Sequence, residues 1–363
     1  MKKIFEELKR KKPWEVGVVG ILLIPLAVLY EAVITIWLLL YMLGIKRSSK
    51  TDGVKVVSIG NITVGGTGKT PVAIKLARDL LAKGKKTAIV SRGYGRESTE
   101  AVQIVSDGKD MIASYPTAAD EALLCAEKLK DVAVISSPKR IDGVRRAKES
   151  FDSDVVILDD GFSHLAVGCD LNILVVDALN PFGNEWITPA GPLREPLSSL
   201  ERADVVIVTR SNMLDSEALN RLVERLTKLT HGKKIFHADI VPGEIVPPDR
   251  AETLPAENFL NGKSIHLLSG IGSPNQFERS VADLGGAVLK HFAFGDHHNF
   301  TETELNEVLA TAGDDVVIIT TEKDFVRIPK AFKEKFYRLT IEVKVREEEA
   351  FQNLIDSALV TSV

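Results

Sequence analysis

VKVVSIGNITVGGTGKTPVAIKLARDLL, residues 54–81, is the stretch that decides the fold. Val54, Val56, Val57 and Ile59 make an apolar, β-branched run, which gives way to a glycine-rich turn that opens a helical pattern. Strand, loop and helix in that order give the Gly-Lys-Thr signature its meaning, because loop amides and a helix N-terminus then converge on an anion. Gly65, Gly66 and Gly68 permit the curl that a Cβ would obstruct. Lys69 supplies a mobile positive charge for terminal phosphates, and Thr70 a hydroxyl for magnesium. The candidate ATP-binding set is therefore Thr63, Val64, Gly65, Gly66, Thr67, Gly68, Lys69 and Thr70. The general pattern expects glycine five residues before Gly68, where this chain has Thr63. A plain strand-to-helix turn with incidental glycines does not account for the whole GGTGKT core.

Working outward, short apolar runs at 87–91, 132–136, 155–158, 172–176 and 204–208 alternate with helical segments at 119–129, 140–149 and 216–229. Uniformly apolar strands between helices predict an α/β fold, a P-loop NTPase-like, mainly parallel sheet with helices on both faces. Ligands of such sheets sit at the carboxyl ends of the strands, here after Ile59, Ser91, Leu158 and Val176. A turn-rich passage, 241–263, breaks the alternation and reads as a connector. Beyond it, apolar runs at 264–272, 287–295, 316–321 and 337–345, with helices near 274–284, 302–312 and 347–359, predict a smaller α/β domain. The expected organisation is an anchoring segment (1–50), a P-loop core (51–240), a linker (241–262) and a smaller C-terminal domain (263–363).

The 363 residues suggest about two domains. A content of 45% hydrophobic and 26% charged residues describes a folded chain, and a net charge of −4 offers no basic field for nucleic acid. Cys125 and Cys169 lack metal-type spacing and read as reduced thiols of a cytosolic body.

The N-terminus is different. After a polar, basic start come VGVVGILLIPLAVLY (16–30), a lone Glu31, AVITIWLLLYMLG (32–44), and then Lys46, Arg47 and Lys50. Neither apolar half reaches the ~20 residues of a spanning helix. Together they suffice, but Pro25 would bend the helix and Glu31 would sit at mid-membrane. Basic residues flank both ends, so charge chooses no crossing orientation. The pattern predicts a helix or bent helical pair bedded in one leaflet, with a single span as the alternative.

Further candidate residues follow the strands. Asp159 and Asp160 leave the run VVIL, where a magnesium-binding carboxylate belongs; Asp-Asp-Gly is also good turn chemistry. Arg92 and Arg96 in SRGYGR suit an anionic group, or form a solvated basic loop. Asp120 and Glu121 precede an apolar helical stretch and by local physics are charge favourable to a helix N-terminus. Arg194 and Glu195 lie in a proline-bracketed loop, where a local salt bridge is the simple reading. His297 and His298 in FGDHHNF lack zinc spacing and suit phosphate contact or the tuning of a carboxylate. TTEKDF (320–325) resembles a nucleotide-contacting strand end, or a helix start capped by Thr321 and Asp324.

The ordered set GNITVGGTGKTP, SRGYGR, the acidic pair 120–121, DDGFSH, PAGPLREPLSSL, FGDHH and TTEKD, behind an apolar N-terminus, resembles the tetraacyldisaccharide 4′-kinase family over nearly the whole chain. The resemblance implies transfer of the γ-phosphoryl of ATP to the 4′-hydroxyl of tetraacyldisaccharide 1-phosphate, giving lipid IVA in lipid A biosynthesis. It implies Lys69 and Thr70 as phosphate and magnesium contacts, with Asp159 or Asp160, together with Glu195, completing the Mg²⁺ environment. It makes Asp120 the base for the hydroxyl, assisted by His297, and Arg92, Arg96 and Arg194 substrate contacts. Thr63 fits the family, whose loop also lacks the first glycine; Ser163 stands where the family has glutamine. The implied setting is the cytoplasmic leaflet of the inner membrane, with a lipid A precursor as partner, no nucleic acid and no obligate protein partner. The competing reading is a membrane-associated P-loop ATPase switch of the partitioning or targeting kind, although such proteins usually carry lysine where this chain has Val64.

Overall fold

The computed structural model describes residues 2–249, 252–313 and 315–360, so that Arg250 and Ala251 of the expected linker lie outside the described residues. Its strands are β1 (Lys55–Gly60), β2 (Thr87–Ser91), β3 (Gln103–Ser106), β4 (Ala133–Ser136), β5 (Val155–Asp159), β6 (Leu171–Asp177), β7 (Val205–Thr209), β8 (Lys234–Val246), β9 (Leu254–Pro255), β10 (Ser264–Ser269), β11 (Ala287–Ala293), β12 (Val316–Thr321) and β13 (Tyr337–Val345). They fall into two compact units that interleave along the chain. The first comprises 1–92, 137–239 and 344–363; the second, 93–136 and 240–343. The blocks expected from the sequence run in chain order, whereas the units do not.

In the first unit the strands pair in parallel in the order β2-β5-β1-β6-β7-β8. The order reverses at β1, so the loop leaving β1 opens at a topological switch point, where ligands of such sheets bind. Burial is nearly complete along β1, β2, β5, β6 and β7, which is why they read as unbroken apolar runs rather than alternating ones; β8 is only partly buried. The helix Lys69–Ala82 starts from Gly68, whose φ of 87° is left-handed, and buries Val72, Ala73, Leu76, Ala77 and Leu80 against the sheet. A late helix, Glu348–Leu359, returns to this unit. Phe351 and Ile355 are buried, Phe351 packs edge-on against Phe236, and Glu348, Gln352 and Asp356 meet Lys75 of the Lys69–Ala82 helix and Lys83 at its C-cap at 2.7 Å.

The apolar N-terminus is one continuous helix, Val18–Met42, with Pro25 inside it, rather than a bent pair. At 25 residues it is about 37 Å long, and it is the one described helix long and apolar enough to cross a membrane. One face is docked on the first unit. Ala27 is buried, Leu23 and Tyr30 pack beside it on the cluster that holds Ile62, Phe182, Ile187 and Leu193, and Tyr30 donates to the Arg194 carbonyl at 3.4 Å. Much of the rest of the helix, including Leu22, Val28, Leu29, Val33 and Ile36, is exposed.

The second unit holds the parallel set β11-β10-β12-β13 and the antiparallel pair β3-β4. Helices Pro274–Asp283 and Glu302–Ala310 accompany the parallel strands; the latter begins with a Thr301–Glu304 capping box. The passage expected to be a bare connector carries structure. β8 runs through Pro242 and Gly243, and its end pairs with β9. A Cβ on Gly243 would lie 2.5 Å from Thr340 Oγ1, so glycine here serves the close approach of β13 and not a turn.

Candidate active site

The phosphate loop takes left-handed backbone at Gly65 and Gly68, whereas Gly66 has neither a positive φ nor a neighbour that a Cβ would meet, so the expected obstruction is not found there. Gly65 adopts a φ of 126°, and Cβ atoms on Gly65 or Gly66 would meet nothing within 4 Å, so open space lies beside both residues. β1 and β5 pair with Ile59 opposite Asp159, which brings the end of VVIL beside the root of the loop. There Thr70 Oγ1 donates to Asp159 Oδ2 at 2.8 Å. A hydroxyl and a carboxylate so joined are hard oxygen donors suited to Mg²⁺, which takes few protein ligands and completes its shell with phosphate and water. Among the described residues no group of three or more His, Cys, Asp or Glu is arranged to hold a metal by itself.

Asp160 is turned differently. Its backbone is left-handed (φ 57°), and its carboxylate takes both Arg194 guanidinium nitrogens at 2.8 and 2.9 Å, with Lys69 Nζ at 3.6 Å. Burial pushes the Asp160 carboxyl up, but Lys69, Arg194 and Arg140 together hold it well below the usual carboxylate range. Lys69 also donates to Asn61 Oδ1 at 3.1 Å, and Arg194 bonds the same oxygen. Glu195 is buried on Arg202 at 2.7 Å. Asn61, Asp160, Lys69 and Arg194 thus form one network around the loop. Thr63 is itself buried, bridged to Leu193 of the Arg194 loop, and accepts from Asn61 Nδ2 at 3.0 Å.

A second basic group lies in the same unit. Arg140, first residue of its helix, is buried and donates to the Ser137 carbonyl at 3.0 Å; burial lowers its pKa to about 10, so it stays charged at neutral pH. His164 of DDGFSH is pushed down to about 4 by burial and by the charges of Arg140 and Arg92, and is neutral. Arg92 is exposed, and Ser163 beside His164 is exposed too.

In the second unit, Asp120 opens the helix Asp120–Lys128, as the dipole reading expects, yet it is buried. Its Oδ2 lies 2.8 Å from His297 Nδ1 and 3.6 Å from Arg327 Nε, and its Oδ1 accepts the Glu121 amide at 2.8 Å. Burial raises the Asp120 carboxyl, but the His297 hydrogen bond and the charges of Lys323, His297 and Arg327 outweigh it and leave the group below its ordinary value. The same hydrogen bond raises His297 above the ordinary imidazole value, against burial and Lys323. Lys323 Nζ sits 3.3 Å from His297 Nε2 and from Asp296 Oδ1. Of the two adjacent histidines only His297 meets Asp120; His298 is stacked on Phe294 and held by Glu304 at 3.0 Å.

Behind this pair the TTEKDF segment acts as scaffold. Thr321 caps the short helix Glu322–Phe325 and donates to Asp324 Oδ2 at 2.6 Å, while Asp324 Oδ1 accepts from the Gly270 amide and from Arg327. Arg327 donates to the Gly270 and His298 carbonyls at 2.9 and 3.0 Å, and Gly270 also takes the His297 amide at 3.1 Å. Arg96 of SRGYGR grips its own surroundings, bonding the Ser136 and Glu100 carbonyls. Residues not singled out from the sequence therefore include Asn61, Arg140, His164, Lys323 and Arg327. Asn61, His164 and Lys323 lie within quoted motifs, whereas Arg140 and Arg327 carry no local signal.

The family profile of tetraacyldisaccharide-1-P 4′-kinases matches residues 19–360. A tetraacyldisaccharide 4′-kinase from Anaeromyxobacter sp. (strain Fw109-5) is 39% identical over 324 residues, covering 88% of this chain and 86% of its own. Another, from Desulfatibacillum aliphaticivorans, is 35% identical over 99% of this chain and 98% of its own. Among solved structures, the "apo" form of LpxK from Aquifex aeolicus in complex with ATP superposes with a TM-score of 0.78 at 31% identity, over 94% of this chain and 100% of that one.

Proposed function

The chain belongs to the tetraacyldisaccharide-1-phosphate 4′-kinase family, and on that premise we propose that it moves the γ-phosphoryl of ATP to the 4′-hydroxyl of tetraacyldisaccharide 1-phosphate, forming lipid IVA. The observation that carries a transferase, and not a nucleotide-driven switch, is the Asp120–His297 pair. A buried, ionised carboxylate held by a histidine is a built proton acceptor, and a hydroxyl acceptor needs one.

Phosphoryl transfer asks the protein for position and charge more than for covalent help. The amides of residues 65–70 would cradle the triphosphate, while the Val64 amide is held by the Pro192 carbonyl at 2.8 Å. Lys69, hydrogen-bonded to Asn61 Oδ1 at 3.1 Å and 3.6 Å from Asp160, would exchange these partners for the terminal phosphates. Thr70 and Asp159 would hold Mg²⁺, which neutralises charge on the phosphate oxygens, with Asp160 and Glu195 as the outer carboxylates of that environment. Asp120 takes the proton of the 4′-hydroxyl, and His297, hydrogen-bonded at Nδ1, keeps the carboxylate ionised and aimed. Arg194 adds positive charge beside the loop and exposed Arg92 is a cation for the acceptor, whereas Arg96 is held by the Ser136 and Glu100 carbonyls.

The acceptor carries four acyl chains, and exposing each CH₂ to water costs ~0.8 kcal/mol. We place the protein at the cytoplasmic leaflet of the inner membrane, with residues 1–50 as the anchoring segment. Support comes from the docked face of Val18–Met42, since a helix seated on its own unit through Leu23, Ala27 and Tyr30 leaves its other faces for lipid. Incubating membranes bearing the protein with labelled ATP and tetraacyldisaccharide 1-phosphate tests the assignment. Label in the lipid is the expected result, and hydrolysis of ATP without lipid phosphorylation would sink it.

A further inference from the structure

At the carboxyl ends of β6 and β7 lie polar side chains that the mechanism above does not use. Asp177 and Thr209 are opposite each other in the parallel register, and Arg210 follows directly. Thr209 is fully buried, and its Oγ1 donates to the Thr67 carbonyl at 2.8 Å. Arg210 is also buried; its Nη2 donates to the Gly66 carbonyl and its Nε lies 3.0 Å from Asp177 Oδ1. Asp177 is fixed in turn, accepting the Leu179 amide at 3.1 Å. We propose that Arg210 and Thr209 are positioning residues for ATP, which hold the Gly66 and Thr67 carbonyls outward so that the neighbouring amides of the phosphate loop face the anion.

The reasoning starts from the loop. Glycines give it its curl, and the same freedom lets a Gly-Gly peptide rotate with little steric penalty. A rotated peptide would turn a carbonyl oxygen toward the phosphates, replacing attraction with repulsion. Donors placed on the carbonyls of Gly66 and Thr67 oppose that rotation, because it would break a hydrogen bond and leave a buried guanidinium short of a partner. Arg210 adopts a left-handed backbone (φ 56°), a conformation a non-glycine residue keeps only where its surroundings require it. A purely structural tie between strand ends would need Asp177 and Arg210 alone; the contacts to two successive loop carbonyls are what such a tie leaves unexplained.

This inference rests on the reading of residues 63–70 as an ATP site, so the experiment separates the two. ATP affinity is measured by calorimetry on the full-length protein in nanodiscs for wild type, Thr209→Val, Arg210→Lys, Arg210→Ala and Asp177→Asn. KM is measured for ATP and for tetraacyldisaccharide 1-phosphate. Arg210→Ala should weaken ATP about tenfold and Thr209→Val several-fold, the size of losing one or two hydrogen bonds. Arg210→Lys should fall between Ala and wild type, and the KM for the lipid should stay within about twofold. Wild-type affinity for ATP in Arg210→Ala, or equal changes in both KM values, would overturn the proposal. If Arg210→Ala does not fold, unchanged ATP affinity in both Thr209→Val and Asp177→Asn overturns it. A wild-type protein that binds no ATP overturns the loop reading itself.

Discussion

His297 Nδ1 lies 2.8 Å from Asp120 Oδ2, joining a loop to the first turn of a helix 177 residues earlier. Removing either partner separates proton transfer from nucleotide binding. Asp120→Asn keeps the shape and loses the base, and kcat should fall about 10²–10⁴-fold with ATP affinity unchanged. His297→Gln should lose less, since it keeps a donor toward the carboxylate. Single-turnover transfer of labelled phosphate, beside calorimetric ATP binding, reads both effects; near-normal turnover in Asp120→Asn would remove its role.

Lys69→Ala should abolish detectable transfer while the fold survives. Asp160 keeps its two-pronged contact with Arg194, so no buried carboxylate is stranded by the change. Circular dichroism should match wild type, and retained activity would remove Lys69 from the phosphate site.

Two histidines give opposite pH signatures. His164 has a folded value of about 4, below its ordinary 6.5, so the unfolded chain binds more protons between those values and stability falls as pH drops through that window. His164→Asn should therefore flatten the loss of Tm between pH 6.5 and 4. His297 is raised by Asp120, so its contribution is complete below the ordinary imidazole value and is lost as pH climbs through its higher folded value. The Tm gap between wild type and His297→Gln should narrow from pH 6 to pH 9.

Asp324 and Arg327 are buried together, with side chains 0% and 1% exposed. Breaking such a pair strands a charge away from water, at a cost of about 3–5 kcal/mol. Asp324→Ala should show that loss in urea unfolding, together with loosening of the His297 loop that Gly270 and Arg327 hold. A change below about 1 kcal/mol would contradict the burial argument.

Exposed positions on the N-terminal helix test its role without disturbing its docked face. Val28→Asp with Ile36→Asp should release protein from membranes and lower the rate on membrane-dispersed lipid. Flotation with vesicles measures the first and label transfer the second; unaltered membrane partition would refute the anchor.

The phosphate loop and its Asp159 partner were legible because each is local, a strand end with its following turn, and the parallel sheet then forces them together. Segment positions such as 216–229, 316–321 and 337–345 agree with the helix and strands found there. The Asp120–His297 pair was not legible from spacing. Asp120 presents locally as ordinary helix-start charge, and its burial arises only when residues 290–327 fold over it, so its role came from family resemblance. β3 and the long β8 were missed, the latter because Pro242 and Gly243 mimic turn chemistry. Glu31 looked costly at mid-membrane, yet it lines a cavity of about 320 Å³ with Glu185 and Trp186 on the protein's own surface. Arg96 reads as an anion grip or part of a solvated basic loop and Arg194 as half of a local salt bridge; Arg96 is tied to the Ser136 and Glu100 carbonyls, and Arg194 pairs with Asp160 rather than with a loop neighbour.

The helix Glu348–Leu359 completes the unit that begins with the phosphate loop. During synthesis the apolar helix and the loop emerge first, and nearly three hundred residues follow before Phe351 and Ile355 arrive to cover that side of the sheet. The nucleotide unit therefore lacks that cover until the last turns are made, while its apolar N-terminal helix is made first. A ribosome stalled short of residue 348 would carry a chain whose phosphate-loop unit lacks the Phe351 and Ile355 cover.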